Sequence, residues 1–416
     1  MMRSIADCNP PMTTDGRITE LNAWAVREGL RRAPAAILFE EFCNRLVAAG
    51  VPIWRAFVGM RTLHPQWGGY TYTWWRDRDA VDPARLERGG AYDQDLRDSP
   101  FSYLRDTAIS QDLPLRLRRR LAGRQAQRDF PVLEHLAVAG ATDYFAELIP
   151  VGMVTEAFPD SGIGFSFATD QPDGFGDDDL RLIEAVLPPV SLAIVSDAEH
   201  TISAGLLAAY LGSDAGRRVH AGVVERGSVE SIRAVLWYAD IRGFTAIADA
   251  APGPVLVDML DDTFEILAAA LRPRGGEVLK FLGDGMLASF TFVDATRDET
   301  SGRALDAAAE AMRNLDRLNA DRARMGKPTA MVDLALHLGE VLYGNVGAVD
   351  RLDFTVIGPA VNEVARIETL CEPLARRVLV SAELAAAIHD KARLEPLGAH
   401  LLRGVREPKE IFALRL

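Results

Sequence analysis

With 416 residues, 48% of them hydrophobic and 25% charged, the chain is long enough for two or three domains, each with ample core. A formal net charge of −13 argues against a nucleic-acid polymer or an anionic membrane as partner, and no run approaches the roughly 20 apolar residues of a membrane helix. Cys8, Cys43 and Cys371 are widely spaced and form no CxxC pair, and the amino terminus is polar, so free thiols in a reducing, cytoplasmic setting are expected.

Residues 1–16 read as an irregular start and 17–195 as one α/β domain of sensor size. A helix is expected over 35–50. The aromatic, alternating stretch 54–75 reads as strand. A basic helix is expected over 114–128, then strands over 142–151 and 162–170. A helix over 173–195 opens with Asp177–Asp179, where carboxylates suit the unpaired N–H groups and the macrodipole. His64, beside Pro65, reads as structural rather than as a ligand residue, since sites need convergent groups. Strand, acidic loop and long final helix resemble the end of a GAF domain. That resemblance implies a regulatory unit with a small-molecule ligand.

From Leu180 to Tyr210 apolar residues recur at helical spacing, a stripe suited to packing on its own domain or to pairing with a second chain. Pro188 and Pro189 are expected to kink or break this helix. Residues 196–229, including the glycine-bearing segment 212–228, read as a linker.

The second half, 230–416, has a clear order of elements. A strand ending in AVLWYAD leads to a helix around 254–272, then to the hairpin EVLKFLGDGMLASF over 277–290. A helix over 301–325, strands over 331–346 and 352–358, and a helix from about Val361 follow. The core is βαββαβ, a ferredoxin-like palm that serves many functions, so the site must argue function. In the hairpin, Gly283 and Gly285 permit a tight reversal and display Asp284, with Lys280 behind it. Taken alone, Asp284 is an ordinary Asp-Gly turn residue. Asp240, at a strand end, reads alone as a cap. Together two such carboxylates are how a protein holds hard divalent cations. Asn362 and Arg366 stand four apart and share a helix face. The arginine is either a fork for phosphate oxygens or a surface ion pair with Glu363 or Glu368.

YADIRGFT, FLGDG, GNVG with DFTVIGPAVNEVARIE, and LLRGVREPKEIFAL occur in this order over 230–416. In this order they resemble the class III adenylate and guanylate cyclases. The resemblance implies two Mg²⁺ or Mn²⁺ ions held at Asp240, Ile241 and Asp284. It implies a purine read by Lys280 and Thr355, a ribose oriented by Asn362, α-phosphate charge stabilised by Arg366, and a further phosphate cation at Arg403. Glutamate and cysteine at positions 280 and 355 would suit GTP, whereas lysine and threonine suit ATP. The implied reaction forms 3′,5′-cyclic AMP and pyrophosphate at sites shared between the two chains of a homodimer. A guanylate cyclase and an inactive nucleotide-binding module are the alternatives. The turn of a diguanylate cyclase is absent.

Overall fold

In the computed structural model, which describes residues 13–62, 64, 67–78, 80–87, 98–108, 115–151, 162–292 and 296–416, the chain forms two units, Met1–Leu206 and Leu207–Leu416. Both are mixed α/β, as the sequence leads one to expect. Of the irregular start expected over 1–16, residues 1–12 lie outside the described residues. Helix α1 (Thr14–Leu30) already begins at Thr14, capped by the Thr13 hydroxyl.

The first unit is built on a six-stranded antiparallel sheet, ordered β3-β2-β1-β6-β5-β4. The strands are β1 (Arg55–Arg61), β2 (Trp67–Trp75), β3 (Asp82–Glu87), β4 (Arg116–Arg120), β5 (Asp143–Pro150) and β6 (Gly162–Thr169). Period-two alternation gives the sheet two packed faces. Ala56, Val58, Phe165 and Phe167 pack with Trp24 of α1, with Phe39 and Phe42 of α2 (Ala35–Ala48), and with Ile183 and Val190 of α5 (Asp177–Leu211). On the other face, Tyr144 and Ala146 pack with Leu104 of α3 (Pro100–Ala108) and Leu133 of α4 (Pro131–Val138).

One expectation fails here, and of the kink or break expected at a pair of prolines the break does not occur. The basic stretch expected as a helix over 114–128 instead contains β4, paired with β5 from Arg116↔Glu147 to Arg120↔Asp143. Tertiary contacts override its local preference. Leu117 is buried, and Arg118 forks onto the fully buried Asp143 through Nε at 3.1 Å and Nη2 at 2.8 Å. Helix α5 also runs without a break through Pro188 and Pro189. Leu187 and Val190 are fully buried around the prolines, and Ser191 Oγ donates to the Leu187 carbonyl at 2.7 Å. Packing on both sides outweighs the lost N–H donors.

In the second unit, segment 213–220 of the expected linker is helical (α6, Ser213–His220). Beyond it come β7 (Val229–Ile241), α7 (Phe244–Ala250), α8 (Gly253–Leu271), β8 (Gly276–Leu282), β9 (Gly285–Thr291), α9 (Arg297–Arg324) and β10 (Val332–Gly347). Then follow β11 (Leu352–Ile357), α10 (Pro359–Glu368), β12 (Val378–Ser381), α11 (Ala382–Ala387), β13 (Leu394–His400) and β14 (Lys409–Leu414). The sheet runs β13-β14-β12-β10-β7-β9-β8, with β11 bonded to the far end of β10. Within it, β7-α8-β8-β9-α9-β10 is the expected βαββαβ palm. Helices α8 and α9 cover one face, packing on Val235, Trp237, Met286 and Leu334. Helix α10 lies on the other, over Leu236, Ala335 and Leu379.

Candidate active site

Alternation along β7 decides where its acid points. Val235, Trp237, Ala239 and Ile241 enter the core beneath α8 and α9. Asp240 therefore faces the α10 side with Tyr238, which packs there. Ile241 itself is buried, so only its backbone is available to a site.

Asp284 comes from the neighbouring strand pair. Leu282 pairs with Gly285, leaving Gly283 and Asp284 as a two-residue turn. The two glycines serve different ends. Gly283 takes φ +70° and makes the reversal, whereas Gly285 has no positive φ. A Cβ at Gly285 would lie 2.8 Å from Asp240 Oδ1 and 3.2 Å from the Ala239 carbonyl oxygen. Gly285 is thus the residue that lets the hairpin close against Asp240.

Acids predominate in this corner, and Arg242 is the cation set among them. Asp240 has no hydrogen bond or ion pair among the described residues. Its pKa is raised to about 6, first by burial and then by Asp284 and Asp333. Asp333 stands opposite Asp240 in the β7–β10 register and is forked by Arg242, at 2.8 Å through Nε and 2.5 Å through Nη2. Glu368, at the end of α10, is pushed up to about 7 by burial, then by Asp240 and Asp333, against the pull of Arg242. Tyr238 is raised by burial and by Asp240, Glu368 and Asp284. Asp240 is thus a half-buried carboxylate with other acids beside it, a setting that favours an added positive charge. Hard oxygen donors of this kind fit Mg²⁺ or Mn²⁺.

A second group forms where β8 meets β11. Lys280 pairs with Asp353. Thr355 lies two residues on and shares the face of β11 with Asp353, while Phe354 and Val356 are buried on the opposite face. The two residues expected to read a purine are therefore neighbours, with an acid between them. Asn362 and Arg366 both lie on α10, as expected. Arg366 makes no ion pair among the described residues, and Glu363 is engaged by Lys409 at 3.2 Å instead. The Arg366 guanidinium reaches the turn carrying Arg403, its Nη2 lying 3.6 Å from where a Cβ on Gly404 would stand. Arg403 is exposed.

Among the described residues, no hydrogen bond or ion pair joins Asp240 or Asp284 to Lys280, Thr355, Asn362, Arg366 or Arg403. Glu368 of the acid corner lies two residues beyond Arg366 on α10, and Lys280 lies four residues before Asp284 on one hairpin. Sequence reasoning did not single out Asp353, nor Glu368 as a member of the acid group. Asp353 was legible as the same-face neighbour of Thr355. The place of Glu368 beside Asp240 depends on how α10 crosses the sheet, which no local pattern encodes.

The first unit holds a cavity of about 360 Å³ lined by Arg55, Phe57, Phe101, His135, Tyr144 and Ser166. Arg55 has no acidic partner among the described residues and lies over the Phe57 and Trp75 rings, at 5.6 and 5.5 Å. Burial lowers its pKa. His64 lies apart from this cavity lining, its ring near that of Trp67.

Residues 228–415 match the adenylate and guanylate cyclase catalytic domain. The chain is 32% identical over 162 residues to an adenylate cyclase of Anabaena cylindrica, covering 38% of this chain and 31% of that protein. It is 27% identical over 177 residues to adenylate cyclase 1 of Rhizobium meliloti, covering 42% of this chain and 26% of that one. It spans about a third or less of the length of these curated relatives. A solved bacterial light-regulated adenylyl cyclase aligns with a TM-score of 0.39 at 26% identity, over 45% of this chain and 91% of that one. No described helix is long and apolar enough to cross a membrane.

Proposed function

Since residues 228–415 belong to the adenylate and guanylate cyclase catalytic domain family, we propose that the chain converts ATP to 3′,5′-cyclic AMP and pyrophosphate. The observation that carries this reading is the acid corner itself: Asp240, beside Asp284 and Asp333, with no ion pair of its own among the described residues. Family members depend on divalent metal. Asp240, Asp284 and the backbone of Ile241 would hold two Mg²⁺ or Mn²⁺ ions, which when bound lower the pKa of the ribose 3′-hydroxyl and offset phosphate charge. The chain's remaining residues position the substrate. Asn362 orients the ribose, and Arg366, free of ion pairs and carrying a planar fork, stabilises charge on the α-phosphate. Arg403 adds a cation at the edge.

Adenine is favoured over guanine by the groups on β8 and β11. Lys280 donates to a ring nitrogen and the Thr355 hydroxyl accepts from the exocyclic amino group. Asp353 holds Lys280 until the base arrives. The family resemblance implies composite sites, in which the acids of one protomer face the lysine, threonine, asparagine and arginine of another, and no hydrogen bond or ion pair among the described residues joins the two sets within one chain. A two-fold homodimer then builds two such sites.

We further infer a GAF-like regulatory role for the first unit, with its 360 Å³ cavity as the ligand site and helix α5 as the connection. Buried free Cys43 and Cys371 suit a reducing cytoplasm.

The test is a metal-dependent assay with ATP, GTP and CTP in turn, followed by mixing two inactive variants. Asp240→Ala and Arg366→Ala homodimers should each be inactive, and their heterodimers should regain part of the parent rate. Preference for GTP would overturn the base assignment. Proven heterodimers without recovery would overturn the shared site.

A further inference from the structure

A second cluster of ligand-type side chains lies elsewhere on the α10 face of the second unit, away from the acid corner. His337 of β10, Glu363 of α10 and Glu383 of α11 each present one ligand atom, and these atoms all lie within 4.8 Å of one another. His337 is 3% exposed, and its Nδ1 is buried without a hydrogen-bond partner, 3.7 Å from Glu383 Oε2. An unpaired ring nitrogen in such a place normally costs stability, unless something else comes to meet it. The backbone makes room for the ring. A Cβ on Gly339 would stand 2.9 Å from His337 Nε2. The three residues also line an open cleft of about 510 Å³, which gives the cluster an entry path.

The cation now present is the protein's own. Lys409 Nζ lies 3.2 Å from Oε1 of both Glu363 and Glu383. It neutralises one of the two negative charges, and among the described residues no hydrogen bond joins it to His337. Burial lowers the His337 pKa, against the pull of Glu363 and Glu383. A dication replacing Lys409 would balance both carboxylates and use the idle nitrogen as well. One nitrogen and two carboxylate oxygens form a mixed donor set that suits Zn²⁺ and its neighbours better than Mg²⁺, which prefers oxygen throughout. Arms of about 2.0–2.2 Å place tetrahedral ligand atoms roughly 3.3–3.6 Å apart. The 3.7 Å pair is therefore nearly in place, and the third atom has about an ångström to close. The cleft leaves the fourth position to water or to a ligand.

We propose that His337, Glu363 and Glu383 bind a zinc-class divalent ion, and that Lys409 is its built-in competitor, occupying the two glutamates when the metal is absent. This site is independent of the aspartate pair. It joins β10, α10 and α11 at one point, and α10 is the helix that bears Asn362 and Arg366.

The experiment uses the full chain carrying Asp240→Asn and Asp284→Asn, so that the acid corner no longer competes. The chain is stripped with chelator and titrated with Co²⁺, followed by its visible absorption, and with Zn²⁺ by calorimetry. One equivalent should bind, with absorption typical of a four- or five-coordinate nitrogen–oxygen site. His337→Gln and Glu383→Gln should each weaken binding by at least the roughly tenfold that even outer-shell changes cost. Lys409→Met should tighten it, and Zn²⁺ should raise the melting temperature of Lys409→Met more than that of its parent. If His337→Gln fails to fold, Glu383→Gln and Lys409→Met decide. Absence of a stoichiometric cobalt spectrum, binding indifferent to these ligand changes, or weaker binding in Lys409→Met would each overturn the proposal and leave a buried ion-pair network.

Discussion

Two aspartates, one in each unit, sit near an end of a sheet strand, and their surroundings are opposite in kind. Asp143, at the start of β5, is fully buried and saturated. Arg118 forks it, Arg120 stands 3.6 Å away, and the Tyr144 and Phe175 N–H groups donate to it at 3.0 Å. Asp240, near the end of β7, is only half-buried, has no basic partner, and faces Asp284, Asp333 and Glu368. A carboxylate that holds a fold together is surrounded by donors. One kept for an incoming cation is surrounded by other acids.

The comparison breaks first at Asp143. Asp143→Ala should cost about 3–5 kcal/mol, the usual loss when one partner of a buried ion pair is removed. Denaturant melts of the first unit would read it, and a loss below about 1 kcal/mol would mean that the arginines find other partners. Asp240→Ala and Asp284→Ala should do the reverse. Each should lower cyclic-nucleotide formation at least about a hundredfold, the scale of removing one preorganised electrostatic contact, while the melting temperature of the metal-free protein holds or rises. Substantial remaining activity in either variant would sink the metal reading.

A smaller effect is expected from the base-reading residues. Lys280→Glu with Thr355→Cys should lose most ATP turnover, because a site built on hydrogen bonds rejects a mismatched partner strongly. Some GTP turnover should appear, and steady-state rates with both nucleotides measure the exchange.

The smallest effect concerns pH. Asp240 has its folded pKa raised to about 6, so the fold favours the protonated acid. In metal-free protein the resulting penalty is absent below the ordinary carboxyl pKa, grows as pH rises, and is complete above about 6. Glu368 extends the same trend to about 7. Because both groups are partly solvated, the loss is on the order of 1 kcal/mol. Melting curves in chelator between pH 4 and 8 should show it, and Mn²⁺ should remove it. A flat profile would mean that water already screens the acids.

How much of this was legible follows from the range of each interaction. The β7 strand, the hairpin and the helix bearing Asn362 and Arg366 were visible because period-two and period-3.6 patterns and a two-residue turn are local. The basic run at 116–120 misled because its arginines read as helix surface, while Asp143, the partner of Arg118 and Arg120, is more than twenty residues away. The prolines of α5 misled because their cost was weighed without the packing of Leu187 and Val190. Gly285 was seen as a turn glycine, although its real constraint is the carboxylate on the next strand. Glu368 and the His337 cluster could not be seen at all, since they depend on the placement of α10 across the sheet.

The order of the strands has a consequence for how the second unit loosens. Asp240 lies on β7, which pairs with β10 from Val229 to Ile241 and with β9 from Ala234 to Ala239. Its amides should exchange with solvent only when the whole unit opens. Lys280 and the Gly283–Asp284 turn belong instead to β8, the outermost strand, whose pairing is interrupted between Val278 and Lys280. That edge can fray while the central strands stay intact. Half of the acid corner is thus fixed to a central strand of the sheet and half to its margin, so a few broken backbone bonds at one border suffice to take the corner apart.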